Sequence, residues 1–237
     1  MIIYKDDDII LDTADYKLNL GILNFDDYKG VTEKKVKTEN NSFDDSYVYS
    51  ADTYQGYNPT ITVIVRKVKR YEVIEAFRNG NRITLPKEPG KYREYYIDGA
   101  VQTVYYDSPE YVKLIIPVYF NAFIYKSGSE HINITKGTIT TIKNIGNAHA
   151  EPKFIIKGNG TLRFNVNGVT NTLKNSNGGY IVICKNRKQN VTNLTGEYKN
   201  ISSEYEGYYP KLNVGDNKIQ LIDGESLEVE VTWRWKD

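Results

Sequence analysis

Apolar and polar residues alternate over short segments along much of the chain, the two-residue period of strands with one covered face, and Gly and Asn turns separate the segments. The clearest case is the last. Leu227, Val229, Val231, Trp233 and Trp235 alternate with Glu228, Glu230, Thr232, Arg234 and Lys236, which predicts one core face and one wet face. Leu162, Phe164 and Val166 alternate with Thr161, Arg163 and Asn165, and Asn167-Gly168 is then the favoured pair for a type I′ hairpin turn, with a return strand over 169–173. Further strands are predicted near 60–65, 111–118, 138–143, 153–156, 180–184 and 218–221, and Gly158-Asn159-Gly160 reads as a hairpin turn. Short strands at this density indicate sandwiches or partly open barrels. One short helix is predicted over 71–78, where Val73, Ile74 and Phe77 share a face and Gly80 stands as a C-terminal stop.

Two places interrupt the rhythm. From Asp26 to Asn58 the chain is polar and charged, with Tyr47, Tyr49, Tyr54 and Tyr57 gathered at its end. So long a stretch without strand pattern is uncommon in a compact domain, and the expectation is a solvated loop or a belt ordered by a partner. The four tyrosines are candidate subunit-interface residues, because tyrosine suits a boundary that is apolar on one side and wet on the other. The run Lys126 to Glu130 reads as a linker, dividing the chain into domains 1–127 and 128–237.

Composition narrows the function classes. No stretch of the 237 residues approaches the roughly 18 consecutive apolar residues of a membrane span. A net charge of +1, from 31 basic and 30 acidic residues, removes the electrostatic footprint of a dedicated duplex-binding protein. The start, MIIYKDDDII, has neither the basic opening nor the apolar core of a secretory signal, so export is not expected. Sequons at Asn40, Asn133, Asn190, Asn193 and Asn200 are read as chance, since the chain is crowded with Asn, Lys, Ile and Tyr, the residues of A/T-rich codons. That bias fits a low-GC bacterium or its phage.

Candidate chemistry is sparse. His131 and His149 lie in no metal-ligand spacing with each other or with Cys184, the single cysteine, and His149 in a turn-like Gly-Asn-Ala-His-Ala reads as a surface or structural residue. Nucleophile-elbow, phosphate-loop and dinucleotide signatures do not occur. Asp6, Asp7 and Asp8 read as a solvated edge before a strand, and Trp233 and Trp235 as core packing in preference to a sugar-stacking platform. No enzyme activity, metal or cofactor is expected.

From Thr138 onward a distributed pattern resembles the C-terminal part of siphophage distal tail proteins, the Dit family. Its elements are Asn144-Ile-Gly146-Asn147, Ala150-Glu-Pro152, the strand Phe154 to Gly158, the run Tyr209-Pro210-Lys-Leu212-Asn-Val-Gly215-Asp-Asn217-Lys-Ile219, and the closing Trp233-Arg234-Trp235. Read by residue type these are structural: Gly146 and Gly215 can supply positive φ, Asn147 and Asn217 can bond local backbone, and Pro152 and Pro210 fix the approach to strands. The N-terminal half is similar more loosely, through a strand ending at Arg66, Phe77-Arg-Asn-Gly80, and Leu114 to Phe120; where the family carries proline near the end of that run, this chain has Asn121-Ala122.

The resemblance implies a mainly β protein of two β-sandwich-like domains. The N-terminal one would form a hexameric ring and carry a short helix and the belt-like insertion 26–58; the C-terminal one would be galectin-like. It implies a structural role in the virion, at the phage tail tip or baseplate, joining the tail tube protein to a tail-tip hub or tail-associated lysin and to receptor-binding proteins, with a channel for DNA in transit and synthesis in the host cytoplasm. The competing expectation from the residues is a carbohydrate-binding β-sandwich module of a baseplate. The roughly 110 residues after the linker leave no room for an inserted sugar-binding domain of about 100.

Overall fold

The structure, a computed structural model, describes residues 1–12, 32–38, 47–105, 109–186, 188–194 and 202–236, with 32–38, 47–55 and 202 described by backbone alone. The fold is mainly β. The chain divides into two units, one of Met1–Ile124 joined by Lys236, the other of Tyr125–Trp235.

In the first unit the strands are β1 (Ile2–Lys5), β2 (Asp8–Asp12), β3 (Thr32–Thr38), β4 (Tyr47–Gln55), β5 (Thr60–Arg66), β6 (Arg82–Thr84), β7 (Lys91–Ile97), β8 (Gln102–Tyr105) and β9 (Tyr111–Lys126), with helix α1 (Arg70–Asn79) after β5. The sheet runs β2-β1-β6-β7-β9, and β5 and β8 flank the first half of β9, both antiparallel to it. Strict alternation makes β9 the spine: Val112, Leu114, Ile116, Val118 and Phe120 are all buried, and Val73 and Phe77 of α1 join the same core. Asn121-Ala122 does not stop the strand, because Ala122 keeps the inward parity and Asn121 bonds outward to Glu94.

The second unit holds β10 (Glu130–Ile134), β11 (Ile139–Asn144), β12 (Lys153–Lys157), β13 (Gly160–Val166), β14 (Val169–Ser176), β15 (Gly179–Ile183), β16 (Asn190–Asn193), β17 (Tyr205–Glu206), β18 (Gly215–Asp223), β19 (Ser226–Val231) and β20 (Arg234–Lys236). Two five-stranded antiparallel sheets, ordered β10-β19-β12-β15-β16 and β11-β18-β13-β14-β17, share one core. Phe154 of one sheet meets Phe164 of the other with ring centroids 4.9 Å apart, the spacing of an interdigitated sandwich.

Several expectations change. The stretch 26–58 contains paired backbone: β3 and β4 run antiparallel, Val36 opposite Tyr49 and Thr38 opposite Tyr47. Ladder bonds alone define such a ribbon, so a polar strand such as TEKKVKT leaves no alternation to read. Gly158-Asn159-Gly160 is a crossover, not a hairpin turn, since it carries the chain from β12 in one sheet to β13 in the other. The last strand breaks at Thr232 and Trp233, and Arg234, placed by alternation on the wet face, is buried. Gly80 ends α1 at φ −76°, outside the left-handed region; glycine is needed because a Cβ would stand 2.3 Å from Ile3 Cγ2 and 2.5 Å from the Tyr95 hydroxyl. Asn167-Gly168 does adopt the type I′ signature, with φ of 52° and 90°. Asp6 and Asp7 form the β1–β2 turn, Asp6 at φ 56°.

Candidate functional site

In the second unit most of the motif residues gather at one end of the β11-β18-β13-β14 sheet and fasten loops there. Asn144 closes β11; its buried side-chain amide donates to Ala148 O and Leu212 O and accepts from Gly146 N–H. Ala150 and Leu212 exchange backbone bonds of 2.8 and 2.9 Å, just after Pro210 and just before Pro152, both buried prolines. Gly146 is not at positive φ; an added Cβ would lie 2.1 Å from Arg234 O, so backbone approach is what demands glycine. Gly215 is at φ 85° as expected, and Asn217, fully buried, donates to Asn213 O and Gly215 O and accepts from Asn213 N–H and the Asn167 amide. Asn147 is exposed in the bend, and Gly158, at φ 139°, turns the chain between sheets.

The strand break aims Arg234 inward. Its guanidinium donates to His149 O and to Glu151 Oε1 at 3.0 Å, Glu151 accepts from Asn186 N–H at 3.1 Å, and His149 Nε2 lies 3.6 Å from Glu151 Oε1. Burial alone would raise the Glu151 pKa. The His149 contact, the Arg234 charge and the Asn186 bond outweigh it and hold the carboxyl down at about 2. A carboxylate so firmly ionised and paired is a strut, unsuited to acid catalysis near neutrality. Trp233 is fully buried; Trp235 and Tyr209 are half-buried against the same core. Cys184 is buried, and burial, with the Glu151 charge second, pushes its thiol well above the usual range. The thiol is therefore expected to label with a disulfide reagent only after unfolding; labelling of the native protein at the unfolded rate would contradict this. Among the described residues no group of three His, Cys, Asp or Glu side chains is placed to hold a metal ion.

The tyrosines singled out in the sequence separate. Tyr47, Tyr49 and Tyr54 lie on β4, where their side chains are outside the described residues. Tyr57 belongs to its own chain's core: its ring meets Phe120 edge-on at 5.7 Å and its hydroxyl accepts from Arg93, itself bonded to Glu88.

The first unit instead presents two surfaces that the hydrophobic pattern did not flag. One follows β5, where Arg66, Lys67, Lys69 and Arg70 fall within five positions around Val68, 85% exposed, beside Tyr71 and Tyr105, 66% and 59% exposed. Lys69 pairs with Glu72, and Arg70 donates to the hydroxyls of Tyr71 and Tyr105 with its carbon 4.4 Å from the Tyr71 ring centroid. The other is the outward face of β7 and β9. Tyr92, Glu94 and Tyr96 alternate on β7, Tyr96 stacks on Tyr119 at 4.9 Å, and the Asn121 and Asn58 amides donate to Glu94 and to the exposed Asp98. The basic run and the Tyr-x-Glu-x-Tyr spacing were the available signals, both hidden by a reading tuned to apolar faces.

No family model and no curated protein matches the chain. A solved structure does, with 11% identity, a TM-score of 0.61 and 98% of each chain covered: the crystal structure of SPP1 Dit (gp 19.1), presented as a paradigm of the hub adsorption apparatus in phages that infect Gram-positive hosts. At that identity the likeness is one of fold, over both units.

Proposed function

We propose that the chain is a structural protein of a phage tail tip, a distal tail adaptor that joins the tail tube to the tip or baseplate proteins and acts without catalysis. The observation that carries this reading is the fold shared with SPP1 Dit over 98% of each chain. The ordered motif from Asn144 to Trp235 supports it, because its residues are spent on holding loops and strand ends in place. In this reading residues 1–127 build a homo-oligomeric ring, a hexamer leaving a channel for DNA; residues 128–237 form a galectin-like sandwich; and 26–58 reaches a neighbouring subunit. The partners are the tube protein, a tip hub or tail-associated lysin, and a receptor-binding protein, all within the virion.

Light scattering over a concentration series tests this. A discrete species near six times 27.2 kDa that captures tube or tip protein is expected; a strict monomer that binds neither would overturn the reading. A second reading, a carbohydrate-binding module, is favoured by the Tyr96–Tyr119 stack, whose Tyr96 is 53% exposed. It requires cell-wall glycan binding that Tyr96→Ala abolishes.

A further inference from the structure

The two surfaces of the first unit are of opposite charge, and both are built from tyrosine. On the basic one Arg66, Lys67 and Arg70 have no carboxylate partner among the described residues; Arg70 meets two neutral phenols and Lys67 lies 5.7 Å from the Tyr105 ring centroid. The exposed Tyr71 and Tyr105, with Arg66 and Arg70, are of the residue types that dominate binding energy at interfaces. On the other surface Glu94 and Asp98 stand among Tyr92, Tyr96 and Tyr119; Arg82, opposite Glu94 and 5.1 Å from the Tyr92 ring centroid, is paired with Asp7, so the face keeps an excess of carboxylates.

The two cannot meet within one chain. Tyr105 pairs with Val112 near the start of β9, whereas Asp98 N–H bonds Pro117 O five positions further along and Tyr96 stacks on Tyr119 seven positions along, so the surfaces lie about 16 Å or more apart at about 3.3 Å per residue. That exceeds the screening length of about 8 Å at physiological salt. Complementary patches at separate places on one unit make a heterologous, head-to-tail contact, the kind that closes rings, whereas a two-fold dimer needs one self-complementary patch. A polyanion such as DNA would also meet the basic surface, but it leaves the acidic tyrosine face unexplained, and the chain's +1 balance fits charges that match between copies.

The geometry points to a second copy of this chain as the occupant: the Arg66–Tyr71 surface with Tyr105 docks on the outward Tyr92–Asp98 face of its neighbour. This rests on the ring reading and names the contact that would build it.

Charge reversal tests it, with circular dichroism and melting confirming that each variant folds. Arg66→Glu with Lys67→Glu, and separately Glu94→Lys with Asp98→Lys, are each expected to weaken self-association roughly tenfold or more. Mixing the two defective variants restores it, because each then offers the other an opposite charge. If a reversal unfolds the chain, Arg66→Gln with Lys67→Gln should give the same direction of change and a flatter salt dependence. Wild-type association that survives both reversals would overturn this contact and leave the ring reading standing. A wild type that is monomeric throughout would overturn this contact, and one that also captures neither tube nor tip protein would overturn the ring reading with it. Binding of a labelled DNA oligonucleotide that Arg66→Glu with Lys67→Glu abolishes, with self-association untouched, would overturn the second copy in favour of a polyanion.

Discussion

Arg234→Met is expected to destabilise the Tyr125–Trp235 unit by about 3–5 kcal/mol, because it strips the cation from a carboxylate that stays buried. For a unit of this size that lowers Tm by more than about 10 °C. Adding Glu151→Gln should recover most of the loss, since the orphaned charge goes with it. A single-variant melt within about 2 °C of wild type would show the pair to be ornamental. The same carboxylate sets a pH dependence. Its folded pKa, about 2, lies below the ordinary 4.5, so its contribution is complete above about pH 4.5 and is lost as pH falls toward 2. The amount is of order 3 kcal/mol, and Glu151→Gln should remove that part of the acid slope.

Asn217→Ala carries the second large effect. It removes at once the acceptor of Asn213 N–H, a partner of the Asn167 amide, and the donor to two carbonyls, all at a fully buried side chain. A cost of about 3 kcal/mol is expected. Asn217→Asp should be worse, because it keeps the acceptor but buries a charge and loses both donated bonds. Urea titration followed by tryptophan fluorescence reads this unit selectively, as the chain's two tryptophans, Trp233 and Trp235, both lie in it. An unchanged midpoint for Asn217→Ala would mean that the network is redundant.

What was legible followed from physics local to a few residues. The alternation of β13, β14, β18 and β19 marks strands with one buried face, and the Asn167-Gly168 turn needs only the preference of those two residues for positive φ. Gly215 was readable for the same reason, and Asn217 for side-chain bonds to backbone two and four residues away. Elsewhere the determining contact is distant in sequence. Gly146 looks like a turn glycine, but Arg234 O is what excludes a Cβ. Gly158-Asn159-Gly160 has hairpin chemistry, yet β12 and β13 lie in different sheets because each finds its partners elsewhere, β12 on β15 and β19, β13 on β14 and β18. Arg234 obeys the alternation by type and breaks it by burial, since Glu151 waits some eighty residues upstream. Three-residue β6 fell below the length at which period two can be recognised, and β2 was foreseen only as a strand following the Asp6–Asp8 edge. Tyr57 carried the right chemistry for an interface and was claimed by Phe120 and Arg93 of its own chain.

The sheet order of the second unit also bears on when the protein can fold during its own synthesis. β19 lies between β10 and β12, with Glu130 opposite Val231 about a hundred residues later. An interior strand of that half of the sandwich is thus translated after all the other strands of its sheet. The earlier strands emerge over many seconds, at roughly 5–20 residues per second, with the place of β19 vacant and two edges unsatisfied. The core strands of the other unit all precede residue 127 and meet no such delay. Ribosome-bound chains halted before β19 should accordingly hold a protease-resistant N-terminal unit and a second unit still open to cleavage and to wrong partners, which makes the emergence of β19 the point at which this molecule becomes safe to concentrate.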